Sequence, residues 1–267
     1  MTIILYDIPS LLPGNAWSPN TWAARWERCF HRLWCPFNRY HSRAVLNYKG
    51  IPYRTEWVEY PDIAPLSKKL GINPTSQNED GSPAYTLPAI HDPSTGTYIA
   101  DSIVIAEYLE KTYPDTPSVF PNGTIGLQKA FGPSFFKAIN AAWPFILPYV
   151  SSKLNPRSDE YFRRTREIAY GKKLEDVVPT GNTRTEEWKK LGKGLETIQS
   201  YLVSTDDKGP YMLGDTISWS DLLLFSFLYW FKIIWGEDSA EWKDVASWNG
   251  GRWEAHLNAL NKYSTVV

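Results

Sequence analysis

Apolar and polar positions change their period partway along this chain, and the change divides it in two. Residues 2–6 and 53–60 carry short strand-type runs, the second alternating as YRTEWVEY, and a period of two is what a half-buried strand produces. Residues 7–17, with Pro9, Pro13 and Gly14, read as a loop. Ser18-Pro19 then opens a helix with a hydroxyl at the N-cap and proline at the first helical position. Residues 63–70 predict a short helix, and residues 71–83 a polar loop. Residues 85–112, YTLPAIHDPSTGTYIADSIVIAEYLEKT, predict two strands around a turn at Asp92-Pro93-Ser94-Thr95-Gly96. A helix follows, capped by Asp101-Ser102 and stopped by Pro114. Pro88 falls within the first of those strands, residues 86–90, where it removes a ladder donor and predicts an edge position.

The resulting order is βαβαββα, a thioredoxin-like arrangement, over residues 1–113. Residues 114–124, with Pro114, Pro117, Pro121 and Gly123, predict a linker. Residues 125–267 read as an all-helical bundle domain. Thr183-Arg184-Thr185-Glu186 forms a capping-box pattern ahead of Leu191, Leu195, Ile198 and Leu202 at helical spacing. Ser218-Trp219-Ser220-Asp221 is a second such pattern, with Ile217 and Leu222 as its hydrophobic staple. Residues 222–234 are apolar nearly all round, the mark of a buried central helix. Asp221 is therefore read as a structural cap and not as a catalytic acid.

Composition narrows the function. A net charge of −1 and a pI near 6.4 give no electrostatic footprint for nucleic acid or an anionic membrane. Cys29 and Cys35 are too few for a disulfide scaffold and fit a reducing compartment. The start MTIILYDIP lacks a basic n-region, and the longest apolar run, residues 222–235, falls short of the ~20 residues of a membrane span. A cytoplasmic protein without membrane or nucleic-acid partners is expected. The 13 Trp and 16 Tyr supply either core or the lining of an aromatic-ligand pocket.

Chemistry concentrates at the helix beginning with Asp101-Ser102. Its free N–H groups and its dipole favour an anion, and the hairpin before it brings that end beside Pro88. The residues alone leave two readings open: an anion site, or an ordinary ββα end. Cys29, His31, Cys35 and His41 match no standard structural zinc spacing, so no metal is expected.

Leu87-Pro88, Asp101-Ser102 and the segment from Gly214 to Asp221, GDTISWSD, resemble the glutathione transferase superfamily over essentially the whole chain. YDIPSLLPGNAWSPNTW, LNYKGIPYRTEWVEYPDI and IAEYLEKTYPDTP resemble its fungal-specific class A (FuA), the etherase-related group. The resemblance implies a cis peptide before Pro88, backbone pairing of Leu87 with the cysteinyl part of glutathione, and a γ-glutamyl end held by Asp101 and Ser102. It implies activation by Ser18, whose hydroxyl would donate to the glutathione sulfur, with Asn20 as a secondary donor. A hydrophobic aromatic co-substrate would enter a pocket between the domains, walled by Phe131, Phe135 and Trp143, with Phe136, Phe145 and Tyr149 nearby. Conjugation or ether cleavage by a homodimer is the implied activity, with glutathione as co-substrate.

The sequence departs from that pattern after Arg25. Residues 26–43 form an extra stretch ahead of LNYKG, either a genuine insertion or intron sequence translated in frame. Tryptic peptides of purified protein spanning Cys29 and Cys35 separate the two. The stretch also carries Trp34-Cys35-Pro36-Phe37, which resembles the cysteine motif of omega-class transferases and makes Cys35 the alternative working residue, for thiol exchange. A binding protein for aromatic ligands with little turnover is a third reading.

Overall fold

The computed structural model describes residues 2–17, 42–78, 80–204 and 208–267. The helix start at Ser18-Pro19, residues 26–41 of the extra stretch, and with them Asn20, Cys29 and Cys35 lie outside the described residues. The chain divides into two compact units. One comprises Met1–Ser118, Lys153–Thr165 and Tyr263–Val267, and the other Val119–Ser152 and Arg166–Lys262.

The first unit is built on β1 (Ile3–Asp7), α1 (Ser42–Lys49), β2 (Tyr53–Trp57), α2 (Ile63–Lys69), β5 (Ala89–Asp92), β6 (Thr97–Ala100) and α3 (Ser102–Thr112). Its four-stranded sheet runs β2-β1-β5-β6. β1 pairs parallel with β2, Leu5 opposite Thr55, and antiparallel with β5, Leu5 opposite Ile90. β5 and β6 form the hairpin, Ile90 opposite Ile99. Ile3, Leu5 and Ile90 are buried, as are Val45 and Leu46 of α1 and Ile105 and Leu109 of α3. This is the expected thioredoxin-like arrangement.

Two expectations about this unit need correction. Pro88 does not lie within an edge strand: the strand begins after it, at Ala89, and sits between β1 and β6. Placed outside the ladder, the proline costs no donor, so an interior strand can follow it. The polar loop of residues 71–83 contains a strand pair, β3 (Ser76–Gln77) against β4 (Pro83–Ala84), too short for periodicity to show.

Residues 263–267 also belong to this unit. Asn47 of α1 donates both amide hydrogens to them, reaching the Tyr263 carbonyl at 2.7 Å and the Thr265 carbonyl at 2.9 Å. Tyr53 OH donates to the Thr265 carbonyl at 3.2 Å.

The remaining helices are α4 (Ile125–Ile139), α5 (Trp143–Ser151), α6 (Pro156–Tyr170), α7 (Gly181–Val203), α8 (Trp219–Trp235) and α9 (Ala240–Leu260), the last broken by non-helical backbone from Trp248 to Gly251. Pro133 and Pro148 lie inside α4 and α5 without ending them. In the second unit α8 is buried along most of its length, as its all-round apolar sequence predicts. The capping box at its start is formed. Asp221 accepts the Ser218 N–H at 2.9 Å and the Ser218 hydroxyl at 2.7 Å, and the Met212 N–H at 2.9 Å. The box expected at Thr183 is not a cap: α7 starts at Gly181 with Thr180 in the N-cap position, so Thr183 lies inside the first turn. A glycine at the first helical position conceals the start from a pattern reading. Leu191, Leu195, Ile198 and Leu202 are buried along α7, as their spacing requires.

Candidate functional site

In the first unit, the hairpin and α3 bring together the four residues that the sequence singles out here. The Leu87–Pro88 peptide is cis. Leu87 is buried, and among the described residues its backbone N–H and C=O make no hydrogen bond. The carbonyl of Pro88 accepts the Asp101 N–H at 3.3 Å, which joins the strand entry to the helix start. Thr86 Oγ1, one residue before Leu87, lies 2.9 Å from Thr75 Oγ1, and the Thr75 N–H donates to the Ala84 carbonyl at 2.9 Å. These hydroxyls hold the segment entering the cis peptide. Sequence reasoning passed over them because isolated threonines carry no periodic signal.

Asp101 is the N-cap of α3, accepting the Ile103 N–H on Oδ1 at 3.2 Å. Its backbone lies at φ +83°, left-handed for a residue that is not glycine. Such a conformation persists where the surroundings over-determine it and is commonest at functional positions. Ser102 follows as the first helical residue, fully buried. Its Oγ has no hydrogen-bond partner among the described residues. A buried hydroxyl left unpaired costs about 1–3 kcal/mol, so an acceptor that completes it at a helix N-terminus is favoured twice, by the hydroxyl and by the dipole. The arrangement is suited to a carboxylate, with a backbone edge beside it at Leu87 able to pair with a peptide.

The expected acceptor-pocket residues lie in the second unit, in an aromatic cluster. Phe135 and Trp143 are buried. Phe135 meets Phe227 at 5.2 Å between ring centroids, and Trp143 meets Trp230 at 5.3 Å. Phe136 packs on Phe227 at 5.5 Å, and Phe145 on Trp188 at 4.9 Å. These four rings pack against the helices of their own unit. Phe131 is half-buried beside Tyr201, and Tyr149 is exposed. Ser18, Asn20 and Cys35 lie outside the described residues. Among the described residues there is no cluster of His, Cys, Asp or Glu able to hold a metal ion, and no helix long and apolar enough to cross a membrane.

Comparison with known proteins agrees over the whole length. Residues 34–112 match the glutathione S-transferase N-terminal domain family and residues 126–263 the glutathione S-transferase C-terminal domain family. The glutathione S-transferase-like protein ustS of Aspergillus flavus is 33% identical, the match covering 98% of this chain and 96% of that protein. Among solved structures, CsGST63524 of Ceriporiopsis subvermispora, in complex with glutathione, is 45% identical with a TM-score of 0.88, covering 100% of this chain and 99% of that one. The transferase GSTFuA3 of Phanerochaete chrysosporium is 39% identical with a TM-score of 0.87, again covering 100% and 99%. With both halves matched and full-length relatives at this identity, the chain belongs to the glutathione S-transferase family.

Proposed function

We propose that this protein conjugates glutathione to hydrophobic aromatic electrophiles, with Ser18 stabilising the thiolate. The observation that carries the reading is the buried, unpartnered Ser102 Oγ at the start of α3, beside the cis Leu87–Pro88 peptide. Ser102 and the first-turn N–H groups would receive the γ-glutamyl carboxylate, and Asp101 would pair with the neighbouring ammonium. The backbone of Leu87 would pair with the cysteinyl residue of the tripeptide. The glutathione-bound relative supports glutathione as the co-substrate.

The thiol must then be ionised. At an ordinary pKa of ~8.5 only a few per cent is thiolate at neutral pH, and each unit of lowering takes about 1.4 kcal/mol. A serine hydroxyl donating to sulfur at a helix start supplies stabilisation of that order, with Asn20 as a secondary donor. The thiolate attacks an electrophilic carbon, a C–S bond forms, and the aryl ether oxygen or halide leaves with its electron pair. Since Phe135 and Trp143 are core rings, Phe131 is the member of the expected trio with an accessible edge for the aromatic acceptor. The reading includes a homodimeric, cytoplasmic enzyme whose residues 1–113 bind glutathione and whose residues 125–267 form the helical domain.

The test is a pair of variants assayed for conjugation of a nitroaryl halide and for reduction of a glutathione mixed disulfide. Ser18→Ala is expected to slow conjugation by at least about tenfold and to raise the apparent pKa of the pH–rate profile. Cys35→Ser is expected to leave conjugation unchanged. Loss of disulfide reduction in Cys35→Ser, with a normal profile in Ser18→Ala, replaces this reading with thiol exchange through Cys35.

A further inference from the structure

Asp92 ends β5 and is buried. Its Oδ1 accepts the Ser94 N–H at 2.9 Å and the Ser94 hydroxyl at 2.6 Å, which builds the hairpin turn. Its Oδ2 accepts two phenols, Tyr108 OH and Tyr113 OH, each at 2.7 Å. Tyr108 lies within α3 and Tyr113 is its C-cap. Tyr108 OH also lies 2.7 Å from Thr95 Oγ1. A turn aspartate needs only the Ser94 bonds. The two phenols add something else: they tie the hairpin to the helix.

Hairpin and helix are tied a second time at their opposite ends, where the Asp101 N–H meets the Pro88 carbonyl. The tie through Tyr108 is spaced from this one alike on both elements. From Ala89 to Asp92 a strand advances ~10 Å at ~3.3 Å per residue. From Ser102 to Tyr108 a helix rises ~9 Å at ~1.5 Å per residue. A strand fastened to a helix at two points so spaced, and again by Tyr113 at the C-cap, resists sliding or pivoting against it. The end carrying Leu87, Pro88, Asp101 and Ser102 is therefore set by the end carrying Asp92. Asp101 makes this end sensitive, because its left-handed backbone is kept only while its neighbours hold it.

We propose that Asp92 is a positioning residue for glutathione: by clamping Tyr108 and Tyr113 it holds the start of α3 at the spacing from Leu87–Pro88 that the tripeptide requires. The inference rests on the reading of those four residues as the glutathione site. The clamp is charge-assisted. Burial pushes the Asp92 carboxyl up, but the hydrogen bonds from Ser94, Tyr113 and Tyr108 outweigh it and bring it below its ordinary range.

The test uses Tyr108→Phe, Tyr113→Phe and the double variant in the full chain. Phenylalanine keeps the ring and removes only the hydroxyl. Glutathione is the probe, by calorimetry and by steady-state conjugation, with hydrogen exchange at Ile103, Val104 and Ile105. The double variant is expected to raise the KM and Kd for glutathione by about fivefold to tenfold with kcat at saturation unchanged, the split that marks lost binding. Exchange at the start of α3 is expected to quicken. A folded double variant with unchanged glutathione affinity overturns the proposal, whatever its Tm, and so does a fall in kcat at constant KM. Should the double variant not fold, either single variant with unchanged affinity and exchange does the same. Ser102→Ala serves as the control for the site itself. Unchanged affinity there removes the site assignment, while exchange in the tyrosine variants still reports whether the clamp holds α3.

Discussion

Asp101 accepts the Ile103 N–H on Oδ1 at 3.2 Å while its own backbone stands at φ +83°. One residue thus starts a helix while its backbone, at ψ 119°, lies outside even the left-handed helical well, a strain that its surroundings must hold. Both properties survive in asparagine, but the charge does not.

Asp101→Asn is therefore expected to leave unfolding stability within about 0.5 kcal/mol, since the isosteric side chain keeps the cap and adds no backbone strain. It should weaken glutathione about tenfold, through loss of the charge-assisted bond to the ammonium. Asp101→Ala loses the cap as well and should destabilise by about 1–2 kcal/mol. Urea unfolding and glutathione calorimetry on both variants check this. Equal affinities for wild type and Asp101→Asn would remove Asp101 from ligand binding.

Ser102→Ala separates a ligand contact from a structural hydroxyl. The Oγ is buried and unpartnered among the described residues. Its removal should leave the free protein as stable as before, or more stable by about 1 kcal/mol, because no hydrogen bond is lost. Glutathione affinity should fall by about tenfold or more, as expected when a buried bond to a charged group is removed. A drop in Tm without a change in affinity would mark the hydroxyl as structural.

His256 sets an acid limit to stability. Its imidazole is buried, and Nε2 lies 3.1 Å from the Asp221 carbonyl. Burial pushes the His256 pKa down, with the Arg252 charge acting in the same direction and Asp221 opposing it. Tyr211 meets the ring edge-on. An unfolded histidine takes up a proton near pH ~6.5, where the folded one does not. The unfolded state then binds more protons, so stability falls as pH drops below that value, until the folded pKa is reached. Urea midpoints between about pH 7.5 and 5 should show this fall, and His256→Gln should flatten it. An equally steep fall in the variant would assign the loss elsewhere.

Gly194 of α7 faces the backbone of α4. A Cβ there would lie 1.8 Å from the Ala138 carbonyl oxygen. Alanine is the better helix former by ~1 kcal/mol, yet the two helices would have to part to admit it. Gly194→Ala should therefore destabilise by about 3 kcal/mol or more. A neutral or stabilising change in thermal unfolding would show that the close approach does not hold in solution.

Several features were legible in the residues because they are local. The turn at Asp92, the cap at Asp101 and the box at Ser218 and Asp221 each involve groups a few positions apart, so chemistry and spacing suffice to find them. The all-round apolar run in α8 is likewise local, and so is its burial. The proline at 88 was misplaced because an edge is a property of pairing, and pairing is absent from a linear pattern. Thr183 failed as a cap because Gly181, a poor helix former, turned out to be helical.

The sequence alone determined the two periods, hence a thioredoxin-like half followed by a helical half, and its resemblance to the glutathione transferases marked Leu87, Pro88, Asp101 and Ser102 as chemistry-bearing. Tertiary structure alone decided which groups meet across distance. It joined the Pro88 carbonyl to Asp101, put the phenols of Tyr108 and Tyr113 on Asp92, and packed Phe135 and Trp143 against Phe227 and Trp230. The reason is physical. Strand and helix periods follow from neighbouring dihedrals and solvent contrast, whereas these contacts exist only once sheet register and helix packing have closed, and no spacing along the chain encodes that closure.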